Sequence, residues 1–372
     1  MGRPYRKRRT HGSPMGSPFS RKFDPFMEDW QKNLAQSLTT PEQLAAHFPV
    51  DVAALSRVVE RYPMRITPHY FRLLREVGDP IWRQCVPDPR ELDDLDQPED
   101  PLAEESLSPV PHLVHRYPDR ALFLVSGTCA GYCRFCTRKR KVGCATMRVT
   151  MGDVRAGLDY IARTPQIRDV ILSGGDPLLM SDLLLKEILD GLSRIPHLDL
   201  VRIGSRVPVM LPERITERLC ALLRRCCPLY LNTHFNHPRE ITPEAAEACA
   251  RLADAGVQLG NQTVLLKGVN DDPEVLRELF RGLLKIRVRP YYLHHMDLTR
   301  GTGHFRTAIA DGVAILEALR GSLSGLAIPQ YVIDLPGGKG KVPVCPDYVQ
   351  RMGDEVWVRT PDGGRIRFPE VG

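Results

Sequence analysis

The stretch Ala121-Leu-Phe-Leu-Val-Ser-Gly-Thr-Cys129-Ala-Gly-Tyr-Cys133-Arg-Phe-Cys136 joins a short apolar run to three closely spaced cysteines. The run at 121–126 has the length and composition of a buried β-strand. Three thiolates spaced by three and then two residues can bind one corner of a [4Fe–4S] cube, and the fourth iron stays open. The alternative is a structural zinc site with Cys144 as fourth ligand. Zinc sites usually pair two C-x₂-C units, however, and this segment has only one.

From residue 121 onward, short β-like runs alternate with helix-like segments. Ser181 and Thr242 stand where helix caps are expected, and Gly256 follows the end of one predicted helix. Repeated β-α units require a parallel sheet with right-handed crossovers. The predicted strands are 121–126, 169–173, 198–203, 229–233, 257–265, 288–293 and 330–334. This rhythm predicts an α/β fold, a full or partial (β/α) barrel, with its chemistry at the carboxyl ends of the strands.

The remaining sequence suggests three further regions around the barrel. Residues 87–111 form an acidic, Pro-rich stretch, which we call the connector. A hairpin with strands 356–359 and 365–368 is expected near the end, with Asp362-Gly363 in its turn. The predicted organisation is a disordered basic tail at 1–24, a helical N-terminal region and connector at 25–112, a barrel core at 113–335, and a Gly-rich loop with a β-rich tail at 336–372.

The net charge of +6 is concentrated at the N-terminus. Seven basic residues and no acidic one precede residue 24, namely Arg3, Arg6, Lys7, Arg8, Arg9, Arg21 and Lys22. Because the rest of the chain is almost neutral, its charge does not predict a nucleic-acid partner. No apolar run reaches the roughly 18 residues that a membrane span requires. Ten cysteines without an export signal favour a cytoplasmic location, where thiols stay reduced.

Several long and unusual strings lie at the ends of the predicted strands. They are His-Arg-Tyr-Pro-Asp-Arg (115–120), Leu-Ser-Gly-Gly-Asp-Pro (172–177), Arg-Ile-Gly-Ser-Arg-Val-Pro (202–208), Asn-Thr-His-Phe-Asn-His-Pro (232–238), Asn-Gln-Thr-Val-Leu-Leu (261–266) and Arg-Pro-Tyr-Tyr (289–292). With the cysteine motif, the chain resembles the lysine 2,3-aminomutase family of radical S-adenosylmethionine (SAM) enzymes from about residue 100 to residue 348. The resemblance implies a partial (β/α)6-type radical SAM barrel with an N-terminal helical extension and a C-terminal β-rich tail. It also implies a [4Fe–4S] cluster, SAM and pyridoxal phosphate (PLP) as cofactors.

The resemblance further implies cofactor roles for individual residues. Cys129, Cys133 and Cys136 would bind the cluster. Lys341 matches the lysine that forms a Schiff base with PLP, a bond that only a lysine amine can make; without the resemblance, it would be taken for a surface lysine. The other implied cofactor contacts are Arg116 and Arg120 near the PLP phosphate, and Ser173, Gly174, Gly175, Asp176 and Gln262. A salt bridge to Asp119 is the alternative for the two arginines.

The substrate roles implied by the resemblance concern three charged residues. Arg138 matches the arginine that holds the substrate α-carboxylate. Asp297 and Asp334 match two carboxylates that recognise a distal ammonium, and two anions converging in a closed pocket favour a cation. Taken singly, each aspartate would more commonly cap a helix or loop. The implied function is L-lysine 2,3-aminomutase, which interconverts L-lysine and β-lysine by a PLP-bound radical 1,2-amino shift initiated by a 5′-deoxyadenosyl radical.

Some residues depart from the family pattern and keep alternatives open. His294, His295 and Met296 stand where lysine-acting relatives tend to have Tyr, Gln and Cys. Lys339 interrupts a run of glycines, and together these changes leave an arginine 2,3-aminomutase as the alternative. A radical SAM enzyme that modifies RNA or protein, or a non-catalytic iron–sulfur protein, would not need the Lys341 loop. The expected partners are a small amino acid, an electron donor such as flavodoxin or ferredoxin, and further copies of the chain in a homo-oligomer. Neither a membrane nor a nucleic acid is expected.

Overall fold

The computed structural model describes residues 27–94, 96–144, 147–226, 228–352 and 355–369. The basic tail predicted for residues 1–24 lies outside these ranges. Among the described residues, none of the helices has both the length and the apolar character needed to cross a bilayer.

Five short helices form the described part of the N-terminal region, which was predicted to be helical. They are α1 (Asp29–Ala35), α2 (Pro41–Ala45), α3 (Val52–Arg61), α4 (Pro68–Phe71) and α5 (Pro80–Cys85). Asp79 caps the N-terminus of helix α5, and its carboxylate accepts hydrogen bonds from the backbone N–H groups of Ile81 and Trp82, both at 2.8 Å. Tyr70 and Trp82 are buried in the main hydrophobic core, so this region packs against the barrel.

One nine-stranded sheet, with its strands in chain order, forms the body of the protein. The strands are β1 (Leu113–Tyr117), β2 (Arg120–Ser126), β3 (Asp169–Gly174), β4 (Leu200–Gly204), β5 (Leu229–Thr233), β6 (Gln258–Val264), β7 (Arg289–His294), β8 (Gln330–Asp334) and β9 (Lys341–Pro343). Strands β2 to β8 are parallel and correspond to the predicted strands. The predicted partial barrel is confirmed. Strands β1 and β9, which were not predicted, add antiparallel edges.

Helices connect the parallel strands and pack against them. They are α6 (Met151–Ala162), α7 (Asp182–Ser193), α8 (Val207–Met210), α9 (Glu217–Leu223), α10 (Pro243–Asp254), α11 (Pro273–Lys285) and α12 (Ile309–Leu319). The predicted cap of α7 is confirmed, because Ser181 Oγ accepts a hydrogen bond from Leu184 N at 3.3 Å. This helix buries one apolar face, formed by Leu185, Ile188, Leu189 and Leu192. Burying each such side chain contributes about 1.5–3 kcal/mol.

Side chains alternate along each parallel strand between the helix-covered face and the interior of the barrel. In β4, Val201 and Ile203 belong to the hydrophobic core, whereas Arg202 and Gly204 line an interior cavity. Because the carboxyl ends of parallel strands meet at one edge, the loops that follow them converge there.

The C-terminal residues form a separate three-stranded antiparallel sheet. Its strands are β10 (Val349–Met352), β11 (Glu355–Arg359) and β12 (Arg365–Phe368). The predicted hairpin is confirmed: β11 pairs with β12, and Thr360 N donates a hydrogen bond to the carbonyl of Gly364 at 2.9 Å across the turn. Strand β10 is an addition that the sequence did not predict.

Candidate functional site

Two adjoining cavities lie inside the barrel at the carboxyl edge of its strands. The cysteine cavity, of about 260 Å³, is lined by Cys129, Cys133 and Cys136. The lysine cavity, of about 420 Å³, is lined by Lys341. Every site residue predicted from the sequence lines one of these cavities or both. The shared wall includes Arg138, Ser173, Gln262, His294 and Asp334. Molecules held in the two cavities would therefore meet at this wall.

The loop after β2 places its cysteines around the cysteine cavity. Arg206 Nη1 donates a hydrogen bond to Cys133 Sγ at 2.8 Å, and the backbone N–H of Arg138 donates one to Cys136 Sγ at 3.3 Å. Burial raises the pKa of Cys129 well above its ordinary value and that of Cys136 to about 11. Thiols lose their protons when they bind iron, so cluster binding at this site would release protons.

These cysteines fit an iron–sulfur cluster in number and surroundings. A cluster bound by three cysteines leaves one iron open, and here the cysteines border a cavity with room for a further ligand. Hydrogen bonds to the sulfurs, such as that from Arg206, are a recognised influence on cluster potential. In the part of the chain that is described, no three His, Cys, Asp or Glu side chains are grouped closely enough to hold a single metal ion.

The buried carboxylate of Glu91 holds the cysteine loop in place. Glu91 accepts hydrogen bonds from Arg134 Nε at 2.8 Å and from Lys139 Nζ at 2.7 Å. Arg134 also donates to the carbonyl of Pro63, and Lys139 to that of Gly301, both at 2.9 Å. Burial raises the pKa of Glu91, but the charges of Arg134 and Lys139 outweigh this effect and lower the pKa. The cysteine loop is thereby joined to the N-terminal region and to the loop after β7.

Two glycines allow the end of β3 to pack against the strand that leads to the cysteines. Gly174 has a φ of +111°, and a Cβ atom there would lie 2.3 Å from the carbonyl oxygen of Ser126. A Cβ atom on Gly175 would lie 2.3 Å from the carbonyl oxygen of Thr128. Side chains are therefore excluded at both positions. Contact of this turn with SAM remains a prediction.

Asp176 lines the cysteine cavity, but its carboxylate is bonded within the protein. It accepts hydrogen bonds from Ser205 Oγ at 2.7 Å and from Arg206 N at 2.8 Å. Burial raises its pKa to about 6, although these hydrogen bonds act in the opposite direction. Asp176 thus joins the carboxyl ends of β3 and β4. A direct contact between its side chain and a cofactor stays a prediction.

Lys341 lies at the start of β9, opposite Asp334 in the register of the sheet. Its Nζ atom donates a hydrogen bond to the Asp334 carboxylate, and its backbone N–H donates one to Tyr117 Oη at 2.9 Å. Arg116 Nη1 lies 3.5 Å from Asp334 Oδ1, and Nη2 donates to the carbonyl of Leu102 at 3.1 Å. The predicted lysine, arginine and aspartate are therefore neighbours in one charged cluster.

Besides Arg138, three guanidinium groups line the lysine cavity and suit the phosphate of PLP. Arg116 and Arg120 were predicted; Arg120 also pairs with Asp119, with Nε 2.9 Å from Oδ1. Arg202 was not assigned to the site. It pairs with Asp169, with Nη2 2.6 Å from Oδ2. The period-two alternation of β4 is the signal that could have identified it, because Arg202 points away from the apolar face of that strand.

The predicted acidic pair borders the cysteine cavity. Burial, together with the charge of Asp334, raises the pKa of Asp297 to about 7. Burial also raises the pKa of Asp334, but its contact with His294 and the charge of Lys341 outweigh this effect and lower the pKa to about 2. His294 Nδ1 lies 3.7 Å from Asp334 Oδ2. At neutral pH, Asp334 is therefore ionised and Asp297 is partly protonated. A cation that enters the site would favour ionisation of both carboxylates.

The chain matches known families and proteins over most of its length. A radical SAM superfamily model matches residues 123–280, and a lysine-2,3-aminomutase model matches residues 316–370. An L-lysine 2,3-aminomutase from Fusobacterium nucleatum is 48% identical over 88% of this chain and 78% of its own length. An L-lysine 2,3-aminomutase from Clostridium subterminale is 47% identical over 93% of this chain and 85% of its own length. A glutamate 2,3-aminomutase from Clostridioides difficile is 41% identical over 92% of this chain and 83% of its own length.

The buried carboxylate of Glu91 is expected to stabilise the protein. The substitution Glu91→Gln leaves Arg134 and Lys139 buried without this carboxylate, and it is expected to lower the free energy of unfolding by about 3–5 kcal/mol. Denaturant unfolding followed by circular dichroism measures this loss. Iron content after reconstitution is expected to fall with it, because the cysteine loop loses its support.

Glu99→Gln is the matched control in the same connector. Glu99 is half exposed and pairs with Arg300 at 2.8 Å, and such surface pairs contribute about 0–1 kcal/mol. An unfolding free energy for Glu91→Gln as close to wild type as that of the control would contradict the role of Glu91.

Proposed function

The chain belongs to the lysine 2,3-aminomutase family of radical SAM enzymes, and we propose that it interconverts L-lysine and β-lysine. Enzymes of this family are isomerases that use a [4Fe–4S] cluster, SAM and PLP. The observation that carries the choice of substrate is the pair Asp297 and Asp334 on the cavity wall. The relatives named for lysine are also more similar to the chain than the one named for glutamate, at 47–48% against 41% identity.

The two ends of lysine carry opposite charges, and the proposed site offers a partner for each. Arg138 would bind the α-carboxylate, since its guanidinium lines both cavities. Asp297 and Asp334 would bind the distal ammonium. A substrate ending in a carboxylate would instead be repelled by these aspartates. The charges of the wall therefore favour a basic amino acid over glutamate.

The remaining residues hold and orient the cofactors in this proposal. Cys129, Cys133 and Cys136 would bind the cluster, and Lys341 would hold PLP. The phosphate would lie against Arg116, Arg120 and Arg202, with Ser173, Gly174, Gly175, Asp176 and Gln262 as further cofactor contacts. When bound, the cluster and SAM supply a radical that removes and returns a hydrogen at carbon 3, and PLP carries the nitrogen that migrates. The chain positions these groups and excludes water from the barrel interior.

An outside source of one electron is required to reduce the cluster, and a flavodoxin or ferredoxin is the proposed donor. A cytoplasmic location accords with such a donor and with cysteines that are free in the described residues. The chain is also proposed to form a homo-oligomer.

The product formed from lysine or arginine tests the function. Reconstituted protein is incubated anaerobically with dithionite, SAM, PLP and one amino acid, and derivatised products are separated by mass spectrometry. β-Lysine is the expected product. β-Arginine would instead identify arginine as the substrate, the alternative that the departures at His294, His295, Met296 and Lys339 leave open. Formation of 5′-deoxyadenosine with neither product would contradict the amino acid assignment.

Lys341→Ala is expected to abolish the visible absorbance of bound PLP and all turnover, while the iron–sulfur spectrum persists. The reason is that no other amine would be placed against Asp334 to hold the cofactor. Lys339→Ala removes a neighbouring lysine of the same loop and serves as the control, with absorbance retained. Normal PLP absorbance in Lys341→Ala would rule out the assigned role.

The pH dependence of lysine binding is expected to report Asp297. Its pKa of about 7 means that lysine must displace a proton at lower pH, so affinity rises as pH increases to about 7 and then levels off. Asp297→Asn should bind lysine more weakly and lose this dependence. Absorbance titrations of the PLP-loaded proteins between about pH 5 and pH 8 measure both effects. Identical pH profiles for the two proteins would exclude Asp297 as the titrating group.

A further inference from the structure

A buried glutamate of the connector holds the arginine that is proposed to bind the substrate carboxylate. Glu104 is 5% exposed and lies in the wall of the lysine cavity beside Arg138. Arg138 Nε lies 3.0 and 2.9 Å from the two carboxylate oxygens, and Nη2 lies 2.5 Å from Oε1. On its other side, Nη1 donates to Ser173 Oγ at 3.4 Å. The guanidinium is thus held at two sides before any substrate arrives.

The geometry of this contact leaves room for a second carboxylate. A guanidinium has five N–H donors in a fixed plane. Glu104 uses the Nε donor and one on Nη2, and Ser173 uses one on Nη1. One N–H group remains on each terminal nitrogen of Arg138. Two such donors can bind one carboxylate through both oxygens.

We propose that Glu104 is a positioning residue for the substrate. It fixes the plane of the Arg138 guanidinium so that the two remaining donors meet the α-carboxylate, and carbon 3 is aligned with the radical source. This inference rests on the proposed function, in which Arg138 binds that carboxylate.

The backbone around Glu104 is held in place at several points. The N–H of Gly337, in the loop before Lys341, donates to the carbonyl of Pro101 at 2.9 Å. Ala103 has a φ of +53°, in the left-handed region that non-glycine residues seldom adopt. Strain of this kind persists only where the surrounding structure enforces it. Glu104 is therefore presented from a fixed backbone that also contacts the PLP-lysine loop.

The charge of Glu104 opposes substrate binding, although its position supports the reaction. Burial raises its pKa, but the charge and hydrogen bonds of Arg138 outweigh this and lower it, so the group is ionised at neutral pH. A substrate carboxylate on the same guanidinium would be repelled by this negative charge. Removing the charge while keeping the shape should therefore strengthen lysine binding and loosen the orientation of Arg138.

Glu104→Gln tests the proposal because it removes the charge with little change in volume. Lysine is expected to bind the PLP-loaded protein about 3- to 10-fold more tightly. The kcat is expected to fall about 10-fold or more, because small misplacements of a reacting carbon have large effects on rate. More 5′-deoxyadenosine should form per β-lysine. Cadaverine, which has both amines but no carboxylate, should bind within about twofold of wild type, because it makes no contact with Arg138.

Glu104→Asp is a second variant, which keeps the charge and withdraws it by one methylene group. It should leave lysine affinity within about twofold of wild type and still lower kcat. Glu105→Gln is the matched control: Glu105 is exposed and pairs with Arg140 at 2.7 Å. It should leave binding and kcat within about twofold of wild type.

The proposal is overturned if kcat of Glu104→Gln stays within about twofold of wild type. It is equally overturned if lysine and cadaverine binding weaken alike, since that would show a purely structural role. Failure of the proposed function is distinguishable, because wild-type protein would then make no β-lysine. The binding comparison would still apply to any amino acid that shifts the PLP spectrum, because every amino acid carries the α-carboxylate.

Discussion

The hydrogen bond between Asp334 and Lys341 is the contact around which the site is arranged. It closes the last parallel strand against β9 and places the Lys341 amine beside Asp334, which lies in the wall between the two cavities. Arg116 and His294 approach the same carboxylate at 3.5 and 3.7 Å. The low pKa of Asp334 follows from its contact with His294 and from the charge of Lys341, which together outweigh its burial. One ionised carboxylate thus connects the lysine proposed to hold PLP, an arginine proposed to bind the PLP phosphate, and the proposed substrate pocket.

The connector has a larger part in the site than its composition suggests. Its acidic residues are not all solvated: Glu91 and Glu104 are buried and pair with cations of the cysteine motif and of the segment just after it. Arg134, Lys139 and Arg138 would otherwise lie unpaired at the barrel mouth, where an isolated charge is strongly unfavourable. The connector therefore supplies the negative charge that lets a strongly basic loop approach the cavities.

The parallel strands and the terminal hairpin could be predicted from the sequence alone, because each depends on local apolar runs and turn residues. Strand β1 was missed because it lies within a polar motif, and β9 because it has only three residues after a Gly-rich loop. The partners of Arg134 and Arg138 could not be predicted, because Glu91 and Glu104 lie 43 and 34 residues away along the chain. Such pairs are chosen by tertiary packing, for which local sequence gives no signal. The roles of the predicted site residues remain proposals, although the fold brings all of them to two adjoining cavities.

An anaerobic crystal structure of the reconstituted protein with SAM, PLP and lysine bound would test the proposed recognition of the substrate most directly. The α-carboxylate of lysine is expected on the free donors of Arg138, and its distal ammonium is expected between Asp297 and Asp334. A lysine bound with its ammonium away from both aspartates, or with its carboxylate away from Arg138, would contradict the proposed recognition of the substrate by opposite charges at its two ends.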